Sequence, residues 1–543
     1  MKHLKKIASL LLAMVMVLTM CVTGYAANTT AHTITVKNAE DNHEYVAYQV
    51  FKGDKSGSTL INIEWNTNDV NGNDILNELK TKPAYTSCGS AEDVAKVLEK
   101  ETKFDSDLTK EFAKIVSKHL NGNGSKSVKN ASKDSDGKYS YTIDVTGDGY
   151  YFIKDTKEPE GQNVNTRFIL KVVDTEVTVT PKTSVPTLDK QIKHNEHDTW
   201  GVVGDNQIGD TVEFRTITTV PDTSNYDSYI YKIHDTMSSQ LTSMVKGIDD
   251  ISIKVNDTDK LDQRYYKVTV DSDNPNKFTV TVDILSAIHD GIMQKDKTLY
   301  TYYSGILNEN AIIYDKGKQD NTAYLEYSNN PGVTKDTGNT PEKKVYDWTF
   351  KMQVQKIDGT SKKQIDGAKF VLSKKAKNEV AYGTVDNDGK PSNTANLIEF
   401  IKTTSNGKTV YTVKPENYAN SNNNELTYVI EAGDIVINGL DDAVDYYLYE
   451  TKAPEGYHIL TDPVKFKISA SYEAGGAAYK SVNVKIDNED ESSNLIATVE
   501  NKSGSSLPET GGIGTTIFYV VGVVLMLGAG VLLITKRRMS AKH

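Results

Sequence analysis

Apolar and polar residues alternate along most of the chain, and this is the period of a strand with one buried face. In the first third of the chain the alternation predicts strands at 33–36, 45–51, 139–145, 150–154 and 168–179. Between these strands, apolar residues recur at helical spacing around 94–98 and again around 108–119, which predicts two helices. The first third therefore combines strands with a small helical part.

The rest of the chain continues the strand pattern and breaks at two places. Strands are predicted near 211–220, 229–234, 265–270, 278–282 and 323–327. A break that contains Pro at 181–186 and a segment rich in Pro, Gly and Asn at 329–341 divide the chain. We expect a mainly β protein with one or two helices in its first domain. Its tandem immunoglobulin-like β-sandwich domains are placed at 27–182, 183–345 and 346–503.

Both chain ends carry membrane-targeting patterns. Basic residues, an apolar run and then small residues predict a signal peptide at 1–26. An uncleaved anchor helix and a lipoprotein modified at Cys21 are the alternatives. At the other end, residues 513–535 contain no charge and are numerous enough to span a bilayer. Basic residues at 536–538 follow, which is typical of the cytoplasmic side of a membrane span.

The body of the chain is acidic and poor in cysteine. The net charge is −11, and the terminal segments contribute only basic residues, so the domains between them are more acidic still. This balance argues against nucleic acid as a partner, because phosphate binding needs clustered Lys and Arg. Once Cys21 is removed with the signal peptide, Cys88 is the single thiol, and no internal disulfide can form. Another brace, or well-packed sheets alone, must stabilise the exported chain.

A sorting pentapeptide stands directly before the apolar run: Leu507, Pro508, Glu509, Thr510 and Gly511. Together with the run and the basic tail, the segment 504–543 resembles the LPxTG cell-wall sorting signal of Gram-positive surface proteins. The resemblance implies that a sortase cuts between Thr510 and Gly511 and holds the Thr510 carbonyl as a thioester until an amine resolves it. The apolar span would then keep the chain in the membrane only transiently.

Three polar residues of the last domain lie on strand faces that are otherwise apolar. Lys356, Glu450 and Asn501 each stand two and four positions from apolar residues of the same strand. Because residues two apart in a strand share a face, all three side chains are expected to point into one core. Burying such groups is costly unless they contact one another.

The sequence around these residues resembles the Cna B-type domains of Gram-positive pilins. The resemblance is carried by the segments 350–358 and 495–501, and by 446–457, which is similar to the pilin E-box. It implies an intramolecular isopeptide bond, in which neutral Lys356 attacks the side-chain amide of Asn501 and ammonia leaves. Glu450 would be the general acid–base catalyst. Burial favours this reaction because it disfavours the charged forms of both the amine and the acid.

The middle domain resembles the isopeptide-forming middle domain of fimbrial backbone proteins. Lys190 is in phase with apolar neighbours, and the segment around Asp235 resembles the one that carries the acidic catalyst of that family. Glu213, on a neighbouring strand, is the alternative catalyst. Asn329 is in phase with the apolar residues before it and is expected to supply the amide, with Asn330 as the alternative if a bulge intervenes.

The first domain resembles the N-terminal domain of the same pilins. Its last residues, 177–182, are similar to the pilin motif whose lysine supplies the amine for polymerisation, although Thr180 replaces an aromatic residue. The resemblance implies that Lys182 attacks the thioester at Thr510 of another subunit. Asp155 lies in a segment similar to the E-box but has no matching Lys–Asn pair, so we expect a turn or capping role for it.

These resemblances imply a structural shaft subunit of a covalently polymerised Gram-positive pilus that supports adhesion. The expected partners are pilus-specific and housekeeping sortases, other copies of the chain, minor pilins and peptidoglycan. The expected location is the cell wall and the surface fimbria. A monomeric wall-anchored adhesin, or an ancillary pilin that binds a host or matrix ligand, is the alternative, and Lys182 favours the shaft.

No substrate turnover, cofactor or metal is expected. The chain has no phosphate-binding glycine loop and no nucleophile elbow, and its histidines lack zinc spacing. Asp-rich loops at 132–137 and 384–389 lack the glutamate that closes a calcium loop, so both are interpreted as turns. The chemistry expected of the chain is its own crosslinking.

Overall fold

The computed structural model describes residues 31–39, 41–56, 59–100, 107–135, 137–157, 159, 169–173, 175–181, 184–194, 198–380, 382–405, 407–433, 435–487, 489–504 and 513–540. The expected signal peptide at 1–26, Lys182 and the sorting motif at 507–511 lie outside this set. Within it the chain consists mainly of β-strands grouped into several sheets, and the expected fold class is confirmed.

The N-terminal domain is built on one extended sheet. Its strands are β1 (Ala31–Ala39), β2 (Tyr45–Ser56), β3 (Thr59–Trp65), β4 (Ser125–Lys129), β5 (Tyr139–Thr146), β6 (Gly149–Asp155), β7 (Ile169–Val173) and β8 (Glu176–Val179). They pair in the order β7-β6-β2-β4-β5-β1-β8, and β3 is added to β2. The last strand, β8, runs parallel to β1 and ends this order, three residues before Lys182.

Among the described residues between β3 and β4 there are three α-helices: α1 (Gly72–Leu79), α2 (Ala91–Glu99) and α3 (Asp107–Lys118). The two expected helices are confirmed as α2 and α3, and Ser90 caps α2 by accepting a hydrogen bond from a backbone N–H of its first turn. The expectation of one or two helices omitted α1. Its eight residues bury Ile75 and Leu79, but two turns are too short to give a clear periodic signal.

The middle domain is a sandwich of two sheets. Its strands are β9 (Leu188–His194), β10 (Thr199–Gly201), β11 (Val203–Asp205), β12 (Thr211–Thr219), β13 (Tyr231–Met237), β14 (Leu241–Ser243), β15 (Ser252–Val255), β16 (Asp259–Lys260), β17 (Tyr266–Val270), β18 (Lys277–Val282), β19 (Thr298–Leu307), β20 (Gln319–Ser328), β21 (Thr337–Asn339) and β22 (Lys343–Trp348). One sheet has the order β10-β9-β12-β19-β15-β16, with β14 on β19. The other has the order β11-β22-β20-β13-β18-β17, with β21 on β20. A short helix, α4 (Ile284–His289), follows β18.

The C-terminal domain is a second sandwich. Its strands are β23 (Phe350–Asp358), β24 (Lys369–Ser373), β25 (Phe400–Ser405), β26 (Lys408–Val413), β27 (Glu425–Thr427), β28 (Ile430–Glu431), β29 (Ile435–Leu440), β30 (Asp445–Lys452), β31 (Val464–Tyr472), β32 (Tyr479–Ile486) and β33 (Ile496–Asn501). One sheet has the order β27-β25-β26-β29-β23-β33, and the other β28-β24-β30-β31-β32. The first strand, β23, and the last strand, β33, are therefore neighbours, and they run parallel.

The alternation of residue types in the sequence becomes an alternation of burial. Along β19 every second residue from Leu299 to Leu307 is buried, and the residues between them are partly exposed. Tyr303 stands at the centre of the inward row and is 5% exposed. Side chains of a strand point alternately to its two faces, so this row forms one wall of the sandwich core.

The middle and C-terminal domains share a continuous apolar core. Buried apolar residues form one cluster that extends from Leu188 in β9 to Val499 in β33, whereas the N-terminal domain has two separate clusters. One residue separates β22 from β23, and both Trp348 and Phe350 at this crossing are buried. The junction between the two sandwiches is therefore packed rather than formed by an exposed linker.

The chain ends in a long apolar helix, α5 (Ile513–Ser540). Among the described residues it is the one helix long and apolar enough to cross a membrane, over Thr516–Ser540. This agrees with the span expected at 513–535, and the helix continues through the basic residues that follow. Its apolar side chains are exposed in the isolated chain, as expected of a segment whose solvent is lipid.

Candidate crosslinking sites

The structure brings Lys356, Glu450 and Asn501 together in the core of the C-terminal domain. Lys356 in β23 stands opposite Val499 of the parallel neighbour β33, so Asn501 is its diagonal neighbour on the same face. Glu450 belongs to β30 in the facing sheet. The amine and the amide therefore come from adjacent strands of one sheet, and the carboxyl group reaches them from across the core.

The three side chains contact one another directly. The Lys356 amine donates hydrogen bonds to Asn501 Oδ1 and, at 3.3 Å, to the Val499 carbonyl. Asn501 Nδ2 donates to Glu450 Oε2 at 3.0 Å and to the His458 carbonyl at 2.9 Å. Glu450 Oε1 lies 3.6 Å from Lys356 Nζ. One carboxyl group thus touches both the amine and the amide nitrogen.

Water is excluded from this group. The side chains of Lys356 and Glu450 are 0% exposed, and Asn501 is 1% exposed. Burial lowers the pKa of Lys356, because an ammonium group loses its hydration in the core, and the Glu450 carboxylate only partly opposes that shift. The Phe370 ring lies 5.9 Å from Lys356 Nζ and makes the surroundings more apolar. The arrangement favours an uncharged, nucleophilic amine.

A second buried trio lies in the core of the middle domain. Lys190 of β9 donates a hydrogen bond to Asp235 Oδ2 at 2.5 Å, and both side chains are 0% exposed. Burial lowers the pKa of Lys190 and raises that of Asp235, although each partner opposes the shift of the other. The uncharged forms of both groups are therefore favoured. Glu213, the alternative catalyst, instead pairs with Lys193 near the surface, where its side chain is 51% exposed.

The amide of this second trio is Asn321. In the pairing of β13 with β20, Asp235 stands opposite Ala323, so Asn321 is a diagonal neighbour on the same face. Asn321 is 0% exposed, and its amide stabilises the charged forms of both Asp235 and Tyr303. Neither its nitrogen nor its oxygen has a hydrogen bond of good geometry within the described part of the chain. This amide therefore lies beside Asp235 and Tyr303, the two residues that Lys190 contacts.

The structure does not bring the expected Asn329 to Lys190. Asn329 lies six residues beyond Ala323, which corresponds to about 20 Å along an extended strand, and Ala323 is the residue opposite Asp235. Asn329 is buried, and its backbone N–H donates to the Asp336 carbonyl. The alternative, Asn330, donates from its side chain to Asp336 at 2.8 Å. Both asparagines order the loop after β20.

Sequence reasoning missed Tyr303, which completes the middle site. Its hydroxyl accepts a hydrogen bond from Lys190 and donates one to Asp235 Oδ2. Its ring packs on Phe278 with centroids 5.0 Å apart, and on Phe214 at 5.9 Å. Burial, followed by the nearby Asp235, raises the pKa of Tyr303 well above its usual value, so the hydroxyl keeps its proton. No local motif marks this residue, whose only signal is its inward position in an alternating strand.

In the N-terminal domain Asp155 has a partner of a different kind. The His43 Nδ1 atom lies 2.5 Å from Asp155 Oδ2, and these side chains are 3% and 0% exposed. The backbone N–H of Lys157 also donates to Asp155, at 3.4 Å. The contacts found for Asp155 among the described residues include no lysine amine, which fits the expected role of a residue that orders a strand end.

The second Asp-rich loop folds as the expected turn. Asp386 Oδ1 accepts hydrogen bonds from the backbone N–H groups of Asp388, at 2.9 Å, and Lys390, at 2.8 Å. The backbone of Asp386 also pairs with that of Lys390. Its carboxylate is therefore occupied by its own loop, as in other Asx-type turns.

Two family models match the C-terminal part of the chain. Residues 350–481 match the model described as SpaA, prealbumin-like fold domain, and residues 499–540 match the LPXTG cell wall anchor motif. The first match includes Lys356 and Glu450, and the second begins two residues before Asn501. The second match confirms the expected cell-wall anchor, and with it the cell-wall location, and the first covers most of the segment expected to be a Cna B-type domain.

Two curated relatives carry fimbrial and surface-protein names. The chain is 29% identical over 223 residues to the fimbrial subunit type 1 of Actinomyces viscosus, and 26% identical over 277 residues to the trypsin-resistant surface T6 protein of Streptococcus pyogenes serotype M6. These matches cover 40% and 44% of this chain. The chain spans only 37% and 48% of the lengths of the two relatives.

Solved structures of major pilins are also similar to this chain. The T6 backbone pilin of serotype M6 Streptococcus pyogenes is 15% identical with a TM-score of 0.46, and the match covers 88% of this chain and 99% of the pilin. The major pilin subunit of Bacillus cereus is 17% identical with a TM-score of 0.41, covering 88% of this chain and all of that one.

Proposed function

We propose that this chain is the structural shaft subunit of a covalently assembled Gram-positive pilus that supports adhesion. The two buried Lys–carboxyl–Asn trios carry the proposal. They would give a covalent brace to a chain that has a single cysteine after its signal peptide. The cell-wall anchor and the fimbrial name of a relative agree with this role.

In the C-terminal domain the proposed reaction joins Lys356 to Asn501. The Nζ–Cγ bond forms, the Cγ–Nδ2 bond breaks, and ammonia leaves. Glu450 takes a proton from Nζ and delivers it to Nδ2, and its two oxygens already approach these two atoms, at 3.6 and 3.0 Å. The reaction happens once per chain, so the protein turns over no external substrate.

A cleft next to this site offers a path for the leaving ammonia. It has a volume of about 300 Å³ and is lined by Glu450, Tyr449, Leu460 and Tyr382. The Leu460 N–H donates to Glu450 Oε2 at 2.7 Å, so a residue that lines the cleft contacts the catalytic carboxyl group directly.

In the middle domain the proposed reaction joins Lys190 to Asn321, with Asp235 as the acid–base catalyst. As in the C-terminal domain, the Nζ–Cγ bond forms, the Cγ–Nδ2 bond breaks, and one ammonia leaves. Tyr303 is a positioning residue here, because it hydrogen-bonds both the amine and the carboxyl group. Asn321 replaces Asn329 in this proposal because of the strand register described above.

Assembly into a fibre would use the two chain regions outside the described residues. A sortase would cleave after Thr510 and transfer its carbonyl to Lys182 of another copy. In the sequence Lys182 comes three residues after the edge strand β8. A housekeeping sortase would finally attach the fibre to peptidoglycan, with minor pilins as further partners.

Mass spectrometry tests this function. The purified chain should weigh less than its formula by two ammonia molecules, and tandem spectra should show Lys356 joined to Asn501 and Lys190 joined to Asn321. Fibres released from the wall should contain the Thr510–Lys182 junction. A full formula mass would refute the internal bonds, and recovery of single copies alone from the wall would refute the shaft.

A further inference from the structure

A histidine and two aspartates converge where the middle domain meets the C-terminal domain. His194 ends β9 and Asp205 ends β11, whereas Asp442 follows β29 of the next domain. Each residue offers one ligand atom, and these three atoms lie within 4.8 Å of one another. Neither crosslinking trio contains any of these residues.

The two aspartates are deeply buried at this junction. Asp205 is 0% exposed and Asp442 is 5% exposed, while the His194 side chain is 20% exposed at the edge. Asp442 Oδ2 accepts a hydrogen bond from the Ala470 N–H at 3.0 Å. Its other oxygen, Oδ1, is buried and has no hydrogen-bond partner among the described residues. A buried carboxylate oxygen of this kind is costly unless a cation or a proton meets it.

Charge at the junction requires compensation. The carboxyl groups of Asp205 and Asp442 lie buried close together at this junction. With a neutral imidazole, the two carboxylates carry two negative charges, which match one divalent cation. The alternative is a proton shared between Asp205 and Asp442.

The spacing of the ligand atoms fits a small divalent cation. His194 Nε2 lies 3.4 Å from Asp205 Oδ2. Two ligands of a tetrahedral zinc ion, each 2.0–2.1 Å from the metal, are about 3.3 Å apart. The Asp442 oxygen needs a shift of at most about 1.5 Å to complete the set. Tyr472 donates to Asp205 Oδ2 at 2.8 Å, which is how outer residues commonly orient a ligating carboxylate.

We propose that His194, Asp205 and Asp442 bind a divalent transition-metal ion that fastens the C-terminal domain to the middle domain. An imidazole with two carboxylates suits Zn²⁺ or Mn²⁺ better than Ca²⁺, which prefers an all-oxygen shell. Water would fill the remaining coordination position. Because Asp442 comes from one domain and the other two ligands from its neighbour, the ion stiffens the junction. The site does not depend on either isopeptide bond.

The test is metal binding by the full chain purified in detergent micelles. The protein is stripped with a chelator, dialysed against Zn²⁺, Mn²⁺ or Ca²⁺, and analysed for metal content. We expect about one Zn²⁺ per chain, weaker Mn²⁺ and no retained Ca²⁺. Asp442→Asn and His194→Gln should each lower the Zn²⁺ affinity at least tenfold. A double control, His289→Gln with Asp290→Asn, alters an exposed His–Asp pair and should leave binding unchanged.

Thermal unfolding distinguishes a bound metal ion from a proton that is shared between the carboxyl groups of Asp205 and Asp442. If the ion binds, chelator lowers the unfolding temperature of the wild type and the control but not that of Asp442→Asn. If a proton bridges the two carboxyl groups, the wild type retains no Zn²⁺ and Asp442→Asn is at least as stable as the wild type. That result, or equal Zn²⁺ binding by a folded Asp442→Asn variant, overturns the proposal. Circular dichroism at each step verifies that the variants are folded.

Discussion

Replacing Glu450 by Gln should leave the C-terminal domain folded but without its crosslink. Gln keeps the shape of the side chain and can still accept the hydrogen bond from Leu460, so the direct cost to packing is small. It cannot carry a proton from the amine of Lys356 to the amide of Asn501. Relative to its own formula mass, the variant should therefore lack one ammonia fewer than the wild type, and the peptides of Lys356 and Asn501 should separate after proteolysis.

The stability lost with the bond follows from the length of chain that it closes. Lys356 and Asn501 are 145 residues apart in the sequence. The chain-entropy relation for a crosslink around a loop of that length gives about 5 kcal/mol of stabilisation at 25 °C. For a domain of this size the change corresponds to a fall of about 10–20 °C in the unfolding temperature of the C-terminal transition.

Differential scanning calorimetry of the full chain measures this shift, with the transition of the N-terminal domain, which has its own apolar clusters, as the internal reference. The matched control is Glu500→Gln. Glu500 is a partly exposed residue next to Asn501, and its carboxylate pairs with Lys362 rather than with Lys356. The control should keep the mass deficit and the unfolding temperature. Two results would refute the reasoning: a mass deficit that survives Glu450→Gln, or an uncrosslinked variant that unfolds within about 2 °C of the wild type.

Three further predictions concern the other sites. Asn321→Ala should remove the ammonia deficit of the middle domain, whereas Asn329→Ala should keep it; the opposite pattern in intact mass would restore Asn329. Lys182→Arg should abolish the ladder of high-mass species on a denaturing gel, and an unchanged ladder would exclude this lysine. In Glu450→Gln, burial leaves Lys356 with a pKa below 10.5 in the folded state, so the unfolded chain binds the extra proton between the two values. The unfolding free energy of that variant should rise with pH across this window, by at most about 1.4 kcal/mol per pH unit. Denaturant titrations at several pH values should show no such rise in the crosslinked wild type, whose lysine is an amide.

The two-residue alternation of the strands was enough to predict that Lys356, Glu450 and Asn501 point into one core, because each shares a strand face with apolar neighbours. The same argument chose Asn329 over Asn330 and overlooked Asn321, which stands eight positions before Asn329 and therefore has the same phase in the alternation. Only the register of β20 against β13 places Asn321 beside Asp235. Register depends on pairing between distant segments, which one sequence does not reveal.

Two other features were beyond sequence reasoning for a similar reason. Tyr303 belongs to a strand with several tyrosines, and nothing local distinguishes the one that meets Lys190. His194, Asp205 and Asp442 come from three separate elements in two domains, so no ligand spacing could predict a metal site. Residues that act together across sheets or domains become visible only when the chain is folded.

The parallel pairing of β23 with β33 determines how the C-terminal domain responds to pulling. Tension enters β23 at Phe350, and the proposed bond near the end of both strands passes it to Asn501, where the chain leaves the domain. The segment between the two bonded residues, about 490 Å long when extended, carries no tension and cannot be extended by pulling. In a fibre of such domains, the C-terminal domains would not lengthen under flow. Extension would be confined to the linkers between folded domains.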